Sequence, residues 1–176
     1  MNYSKILTYD TANAYGFSVS LWVCGCDKRC KGCFNPEAWD YSYGHPFTEE
    51  TIEKIIKELN KPYIDKLVIL GGEPLSSKNR VSVFELCKEV KEKIEKPIEI
   101  IIYSGYSYEE LQITNEEAKN FDMLIDGAFE IDKKVKSPDY RGSTNQRCWR
   151  RGELGWYDYS EFYFKTEIEE SYKNLS

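Results

Sequence analysis

The sequence predicts an α/β fold built on a mainly parallel sheet that closes only part of the way into a barrel. Three observations predict it. Apolar runs of strand length alternate with segments of helical period, in the order β, α, β, α, β, α, β, between residues 17 and 125. The run Leu67-Val68-Ile69-Leu70 is continuously apolar, the pattern of a strand covered on both faces. The chain has 176 residues, whereas a complete eight-unit barrel takes about 250, roughly 31 per unit, so about five or six units fit at most.

The elements follow in order. Phe17-Ser18-Val19-Ser20-Leu21-Trp22-Val23 alternates apolar and small residues apart from Trp22, and runs straight into a group of cysteines as a strand feeding a loop does. Thr48, followed by Glu49 and Glu50, starts a helix whose apolar face is Ile52, Ile55, Ile56 and Leu59 and which Pro62 closes. Leu67–Leu70 is the second strand, ended by Gly71-Gly72. A helix over about residues 79–95 turns Val83, Cys87, Val90 and Ile94 inward, and Ile98–Ile102 gives the third strand. Ser107 with Glu110, or Thr114 with Glu117, caps the next helix, and Met123-Leu124-Ile125 is a short fourth strand. Beyond it the alternation fades into a polar, basic loop over residues 140–155, and the aromatic run Trp156–Phe164 reads as a candidate final strand. Right-handed crossovers place ligand sites at the carboxyl ends of the strands. No internal repeat and no domain boundary is visible, so residues 1–176 are expected to form one domain.

With 41% hydrophobic and 31% charged residues, the composition is that of a soluble globular domain. Lys and Arg number 24 against 30 Asp and Glu, a net charge of -6 whose field repels a phosphate backbone and an anionic membrane surface, so neither nucleic acid nor membrane is expected as a partner. No apolar run approaches a membrane span, and Met1-Asn2-Tyr3-Ser4-Lys5 is followed by no apolar signal core, which points to the cytoplasm. His45, the single histidine, lies beside Pro46 in a predicted surface loop, so a Ser/His or Cys/His catalytic pair would have to be built on it. No P-loop and no GxGxxG occur.

Four of the six cysteines, Cys24, Cys26, Cys30 and Cys33, fall within ten residues, which in a reducing compartment reads as a metal site. Cys26, Cys30 and Cys33 spell CxxxCxxC and offer three thiolates from one small loop. Three protein ligands leave one iron of a four-iron cluster open to a substrate, whereas an electron carrier holds all four irons with cysteine. Lys28, Arg29 and Lys31 add positive charge that stabilises thiolates. The alternative is a structural zinc site with Cys24 as fourth ligand, although zinc sets usually come as two close pairs. Cys24, on the strand, and Cys87, on an apolar helical face, read as packed; Cys148 is open.

CxxxCxxC resembles the signature of the radical S-adenosylmethionine (SAM) enzymes, in which the amino and carboxylate groups of SAM chelate the open iron. Gly71-Gly72-Glu73-Pro74, just after the second predicted strand, resembles that family's GGEP segment. Cys33–Trp39, Tyr103–Tyr106, Leu124–Gly127 and Arg141–Arg147 resemble one subfamily, the activating proteins of anaerobic ribonucleoside-triphosphate reductase. Residue 32, often aromatic in the superfamily, is Gly32, and the resemblance is not carried into residues 148–176.

The resemblance implies a truncated radical SAM βα barrel and a [4Fe-4S] cluster held by Cys26, Cys30 and Cys33. It implies SAM contacts from Phe34, Asn35, Gly71, Gly72, Glu73, Pro74, Ser104 and Asp126. Backbone approaches the methionine amino group at the glycines, where a side chain would obstruct it. A loop carrying Arg141, Asn145, Gln146 and Arg147 would anchor a carboxylate or the partner's backbone. The implied activity is reductive cleavage of SAM to methionine and a 5'-deoxyadenosyl radical, which takes hydrogen from a glycine Cα of the reductase large subunit. The electron would come from a carrier such as flavodoxin or ferredoxin. Against these stand plainer readings: Ser104-Gly105 as an ordinary turn, Asp126 as a loop cap, and residues 141–147 as a solvated loop. Rival functions are another radical SAM enzyme, whether an activase of a different glycyl-radical enzyme or a deazapurine synthase, a zinc-binding interaction module, and a simple iron-sulfur electron carrier.

Overall fold

The computed structural model describes residues 1–135 and 140–164. Among them eight strands form one sheet: β1 (Asn2–Asp10), β2 (Ser18–Cys24), β3 (His45–Pro46), β4 (Lys66–Gly71), β5 (Glu99–Tyr103), β6 (Met123–Asp126), β7 (Arg147–Gly152) and β8 (Gly155–Asp158). Their spatial order is β3-β1-β2-β4-β5-β6-β7-β8. The central strands β2, β4, β5 and β6 are parallel and are the four that the sequence predicts. The flanking pairs β1–β2, β1–β3, β6–β7 and β7–β8 are antiparallel. The sheet is therefore parallel only in its middle, with β3 and β8 as its two edges.

The flanks differ from the sequence reading: His45, expected in a surface loop, is exposed but lies in the edge strand β3. β1 is a strand of nine residues that the sequence reading did not anticipate, because its alternation is interrupted by Lys5 and it lies half exposed. β7 occupies part of the stretch read as a loop; its three arginines hide the strand pattern. The aromatic run is a strand only as far as Asp158, and residues 160–164 are helical.

The alternation inside β4 explains its unbroken apolar run. Leu67 and Ile69 face one core with Leu21, Ile100, Ile102 and Leu124, under α1 (Glu49–Leu59) and α2 (Arg80–Lys93). Val68 and Leu70 face the other with Trp22, Ile101, Met123 and Ile125, covered by Ala14, Tyr163 and Phe164. Thr48 caps α1 through a box closed by Thr51. Ser107 with Glu110 and Thr114 with Glu117, offered by the sequence as alternatives, are both made, and each starts a four-residue helix: α3 (Tyr108–Leu111) and α4 (Asn115–Ala118).

Candidate functional site

The carboxyl ends of the four parallel strands converge on a cleft of about 290 Å³, lined by Cys26, Cys30 and Cys33 from the loop after β2 and by Gly71, Gly72 and Glu73 from the turn after β4. Ser104 and Gly105 beyond β5, and Gly127 and Gln146 near β6, complete its walls. The cysteine loop is shaped locally. Gly25 enters it at φ +93°, and the Tyr41 ring fills the space a Cβ would need, 1.9 Å away. The Gly25 and Cys26 N–H groups donate to the Ala38 and Trp39 carbonyls at 2.8 and 3.1 Å, which folds the segment after the cysteines back beneath them. Cys33 N–H donates to Cys30 O at 3.1 Å, and Asn35 N–H points to Cys33 Sγ at 3.5 Å.

Three thiols, none in a disulfide, thus open into one cleft, with the rest of the cleft left to a second ligand. Burial pushes the Cys26 thiol up, against the backbone N–H groups of Arg29 and Lys28, which pull it down. A bound metal resolves that conflict, since a coordinating thiol is deprotonated outright. These residues fit an iron-sulfur cluster with three cysteine ligands. They fit a closed four-cysteine zinc set less well, because Cys24 is fully buried and does not line the cleft. Burial pushes the thiols of Cys24, Cys87 and Cys148 up as well, as expected of packed residues.

The glycines of the Gly71–Pro74 turn have a reason in the fold itself, beside the ligand approach expected from the sequence. A Cβ on Gly71 would stand 2.6 Å from Val23 O, and one on Gly72 would stand 2.6 Å from Gly25 O and 2.8 Å from Ala38 O. The protein's own backbone therefore requires both glycines, before any ligand arrives. Glu73 turns inward and is 1% exposed. Its Oε1 accepts from Ser104 Oγ at 2.7 Å and from Leu75 N–H at 3.0 Å, and its Oε2 accepts from Gly105 N–H at 2.7 Å. Burial pushes this carboxyl up, while the three donors and Lys28 draw it back. Its side chain braces the β4 turn against the β5 turn. Pro74 is buried beside it.

Ser104 lines the cleft, but its hydroxyl donates to Glu73 and accepts from Tyr106 N–H at 3.1 Å, so it has no proton to give a SAM carboxylate. Asp126 is fully buried and sits outside the cleft lining. Its carboxylate takes Tyr108 N–H at 2.6 Å and the Arg147 guanidinium. Arg147 also pairs with Glu109, so Asp126 and Arg147 join β6, β7 and α3 rather than face a ligand. Arg141 lines the cleft, its guanidinium 4.2 Å from the Phe164 ring centroid. Gln146 also lines it, accepting from Gly142 N–H at 2.7 Å and donating to Gly127 O at 2.8 Å; Asn145 donates to Ala128 O at 2.8 Å. Phe34, 74% exposed, stands edge-on to Trp22 at the mouth, and Asn35 begins the short helical turn Pro36–Trp39.

Asn79 joins the site without having been assigned to it from the sequence, and Lys28, expected there as a charge beside the thiolates, has partners that the sequence does not show. Lys28 reaches from the cysteine loop over the Tyr106 ring, 3.9 Å from its centroid, and pairs with Glu110 at 3.4 Å. Asn79 lies behind the cleft, its amide between the cysteine loop and the β4 turn. No local pattern marks Asn79 or the partners of Lys28, because those contacts span up to 82 residues of sequence.

A family model described as a 4Fe-4S single cluster domain matches residues 12–149. The chain is 35% identical over 156 residues to the anaerobic ribonucleoside-triphosphate reductase-activating protein of Enterobacteria phage T4, covering 89% of this chain and 98% of that one. It is 33% identical to the protein of the same name from Pasteurella multocida, covering 85% and 98% of the two chains. The corresponding protein of Escherichia coli K12 is 32% identical, with 83% and 96% covered.

Proposed function

The chain belongs to the anaerobic ribonucleoside-triphosphate reductase-activating proteins, and from that premise we propose that it is the radical SAM activase of such a reductase, acting as one domain with a [4Fe-4S] cluster and SAM. The observation that carries this reading is the opening of three cysteines and the Gly71–Glu73 turn into one cleft at the carboxyl ends of parallel strands. When bound, the cluster and SAM supply a one-electron cleavage whose radical product takes hydrogen from a glycine of the reductase.

The chain's own residues hold and orient. Cys26, Cys30 and Cys33 bind the iron. The backbone of Gly71 and Gly72, bare of side chains, receives the methionine end of SAM, and Glu73 keeps the β4 and β5 turns together beneath it. Phe34 offers an exposed ring to the adenine. Arg141 and Gln146 stand at the cleft for the carboxylate of SAM or the backbone of the partner. A sheet whose order among the described residues runs from β3 to β8 without closing supports a partial radical SAM barrel, whose open side admits a polypeptide loop. Exposed Arg29 and Lys31 beside Cys30 suit docking of an acidic one-electron carrier such as flavodoxin or ferredoxin. A cysteine loop that serves as a cluster site suits the reducing cytoplasm.

Anaerobic reconstitution tests the reading. With SAM, a reductant and the cognate reductase, the protein should yield 5'-deoxyadenosine and a doublet in the electron paramagnetic resonance (EPR) spectrum from a glycyl radical. Cys26→Ala, Cys30→Ala or Cys33→Ala should abolish SAM cleavage, and Cys24→Ala should retain most of it. Cleavage without a reductase radical would sink the activase assignment. Tightly bound zinc together with an inactive Cys24→Ala would sink the iron-sulfur one.

A further inference from the structure

Asn79 is the cap residue of α2, and asparagine is among the residues favoured there. Its side chain nevertheless makes no capping bond. Nδ2 instead donates to Cys24 O at 2.9 Å and Glu73 O at 3.0 Å, with Gly25 O at 3.4 Å. The residue is 0% exposed, and its Oδ1 is buried with no partner among the described residues. Chemistry fixes the orientation of the amide: all three neighbours of the nitrogen are carbonyl oxygens, which an NH2 group satisfies and an amide oxygen would repel. A buried acceptor left unmatched is unfavourable, so both the lost cap and the orphan oxygen accompany this one contact.

The carbonyls it gathers belong to the two segments that build the cleft. Cys24 lies two residues before Cys26, and Glu73 belongs to the Gly-Gly turn and holds Ser104 and Gly105. The geometry points to Asn79 as a positioning residue that sets the separation between the cysteine loop and the β4 turn, and with it the fit of SAM to the iron site, a proposal that rests on the radical SAM reading above. The two segments are also joined by Gly72 N–H to Val23 O and by Glu73 N–H to Gly25 O, both at 2.8 Å. Removing the amide therefore leaves the fold connected and alters the spacing.

The test compares reconstituted wild type with Asn79→Ala, Asn79→Ser and Leu86→Ala, the last a buried α2 position away from the cleft. Iron and sulfide content, the KM for SAM against kcat for its cleavage, and the EPR change of the reduced cluster on adding SAM are read for each. Asn79→Ala should keep wild-type iron content, raise KM on the order of tenfold or more, and weaken the SAM-induced EPR change. Asn79→Ser should fall between it and wild type, and Leu86→Ala should lose thermal stability at unchanged KM. Unchanged KM and EPR response in Asn79→Ala, or an equal shift in Leu86→Ala, overturns the proposal. Insolubility of both Asn79 variants where Leu86→Ala folds also overturns it, by making the residue a folding determinant. Wild type that binds iron yet never cleaves SAM defeats the underlying reading instead, and the proposal falls with it.

Discussion

At Gly72 a Cβ would stand 2.6 Å from the carbonyl oxygen of Gly25 and 2.8 Å from that of Ala38. Both obstacles are backbone, which has no rotamer to move. Gly72→Val should therefore push the cysteine loop away from the β4 turn, lowering cluster content and thermal stability together with SAM binding. Iron and sulfide analysis beside a melting curve checks this; full cluster content at wild-type stability would show that the loops yield. The three cysteines are legible in the sequence because their chemistry depends on local spacing. Asp126 and Arg147 also stand out there, but only the fold shows that they face each other rather than the cleft. Asn79 acts across a chain distance of 55 residues and Lys28 meets Glu110 across 82, so local pattern shows Lys28 as a charge beside the cysteines but carries no trace of Asn79 or of the Lys28–Glu110 contact.

Short helices at the carboxyl side of the sheet depend on caps and ion pairs more than on length, because four residues make a single turn. α4 is tied to α2 where Arg80 Nε and Nη2 donate to Glu117 Oε1 and Oε2 at 2.7 and 2.8 Å. The Arg80 side-chain bonds and the capping bonds from Thr114 hold the Glu117 carboxyl down to about 2. A carboxylate whose folded pKa is depressed contributes stability above its unfolded value, and that contribution is lost as pH falls through the folded value. The window here runs from about pH 4.5 down to about pH 2. The pair is partly open to water, so its share is about 1 kcal/mol or less. Glu117→Gln should lower the melting temperature slightly at neutral pH and flatten its decline across that window; a parallel decline in both proteins would show that the pair contributes nothing. Both capping boxes are legible as sequence patterns, as are the four central strands with their apolar runs. β7 is not, since Arg150 and Arg151 are neutralised by Glu99 on β5 and by Asp122 just before β6, at 3.0 and 3.2 Å.

Across the whole molecule the sheet divides stability from chemistry: its two faces carry the cores, and the carboxyl ends of its central strands carry the cleft. The two arginines that bracket the 141–147 loop fall on opposite sides of that division. Arg147 compensates the fully buried Asp126 and links β7 to α3 through Glu109. Removing it leaves a buried carboxylate with, among the described residues, only Tyr108 N–H and no cation, a loss on the order of 3 kcal/mol, which in a chain of this size lowers the melting temperature by roughly 6 to 12 °C. Arg141 lies at the cleft, against the Phe164 ring and the carbonyls of Thr144 and Gln146. Arg141→Ala should leave the melting temperature within a few degrees of wild type while impairing SAM placement or radical transfer to the reductase. Measuring uncoupled SAM cleavage beside the glycyl-radical yield separates those two effects, because loss of placement lowers both and loss of partner contact lowers only the second. Equal loss of stability in the two variants would show that the whole loop serves the fold, and that recognition of the reductase lies elsewhere on the molecule.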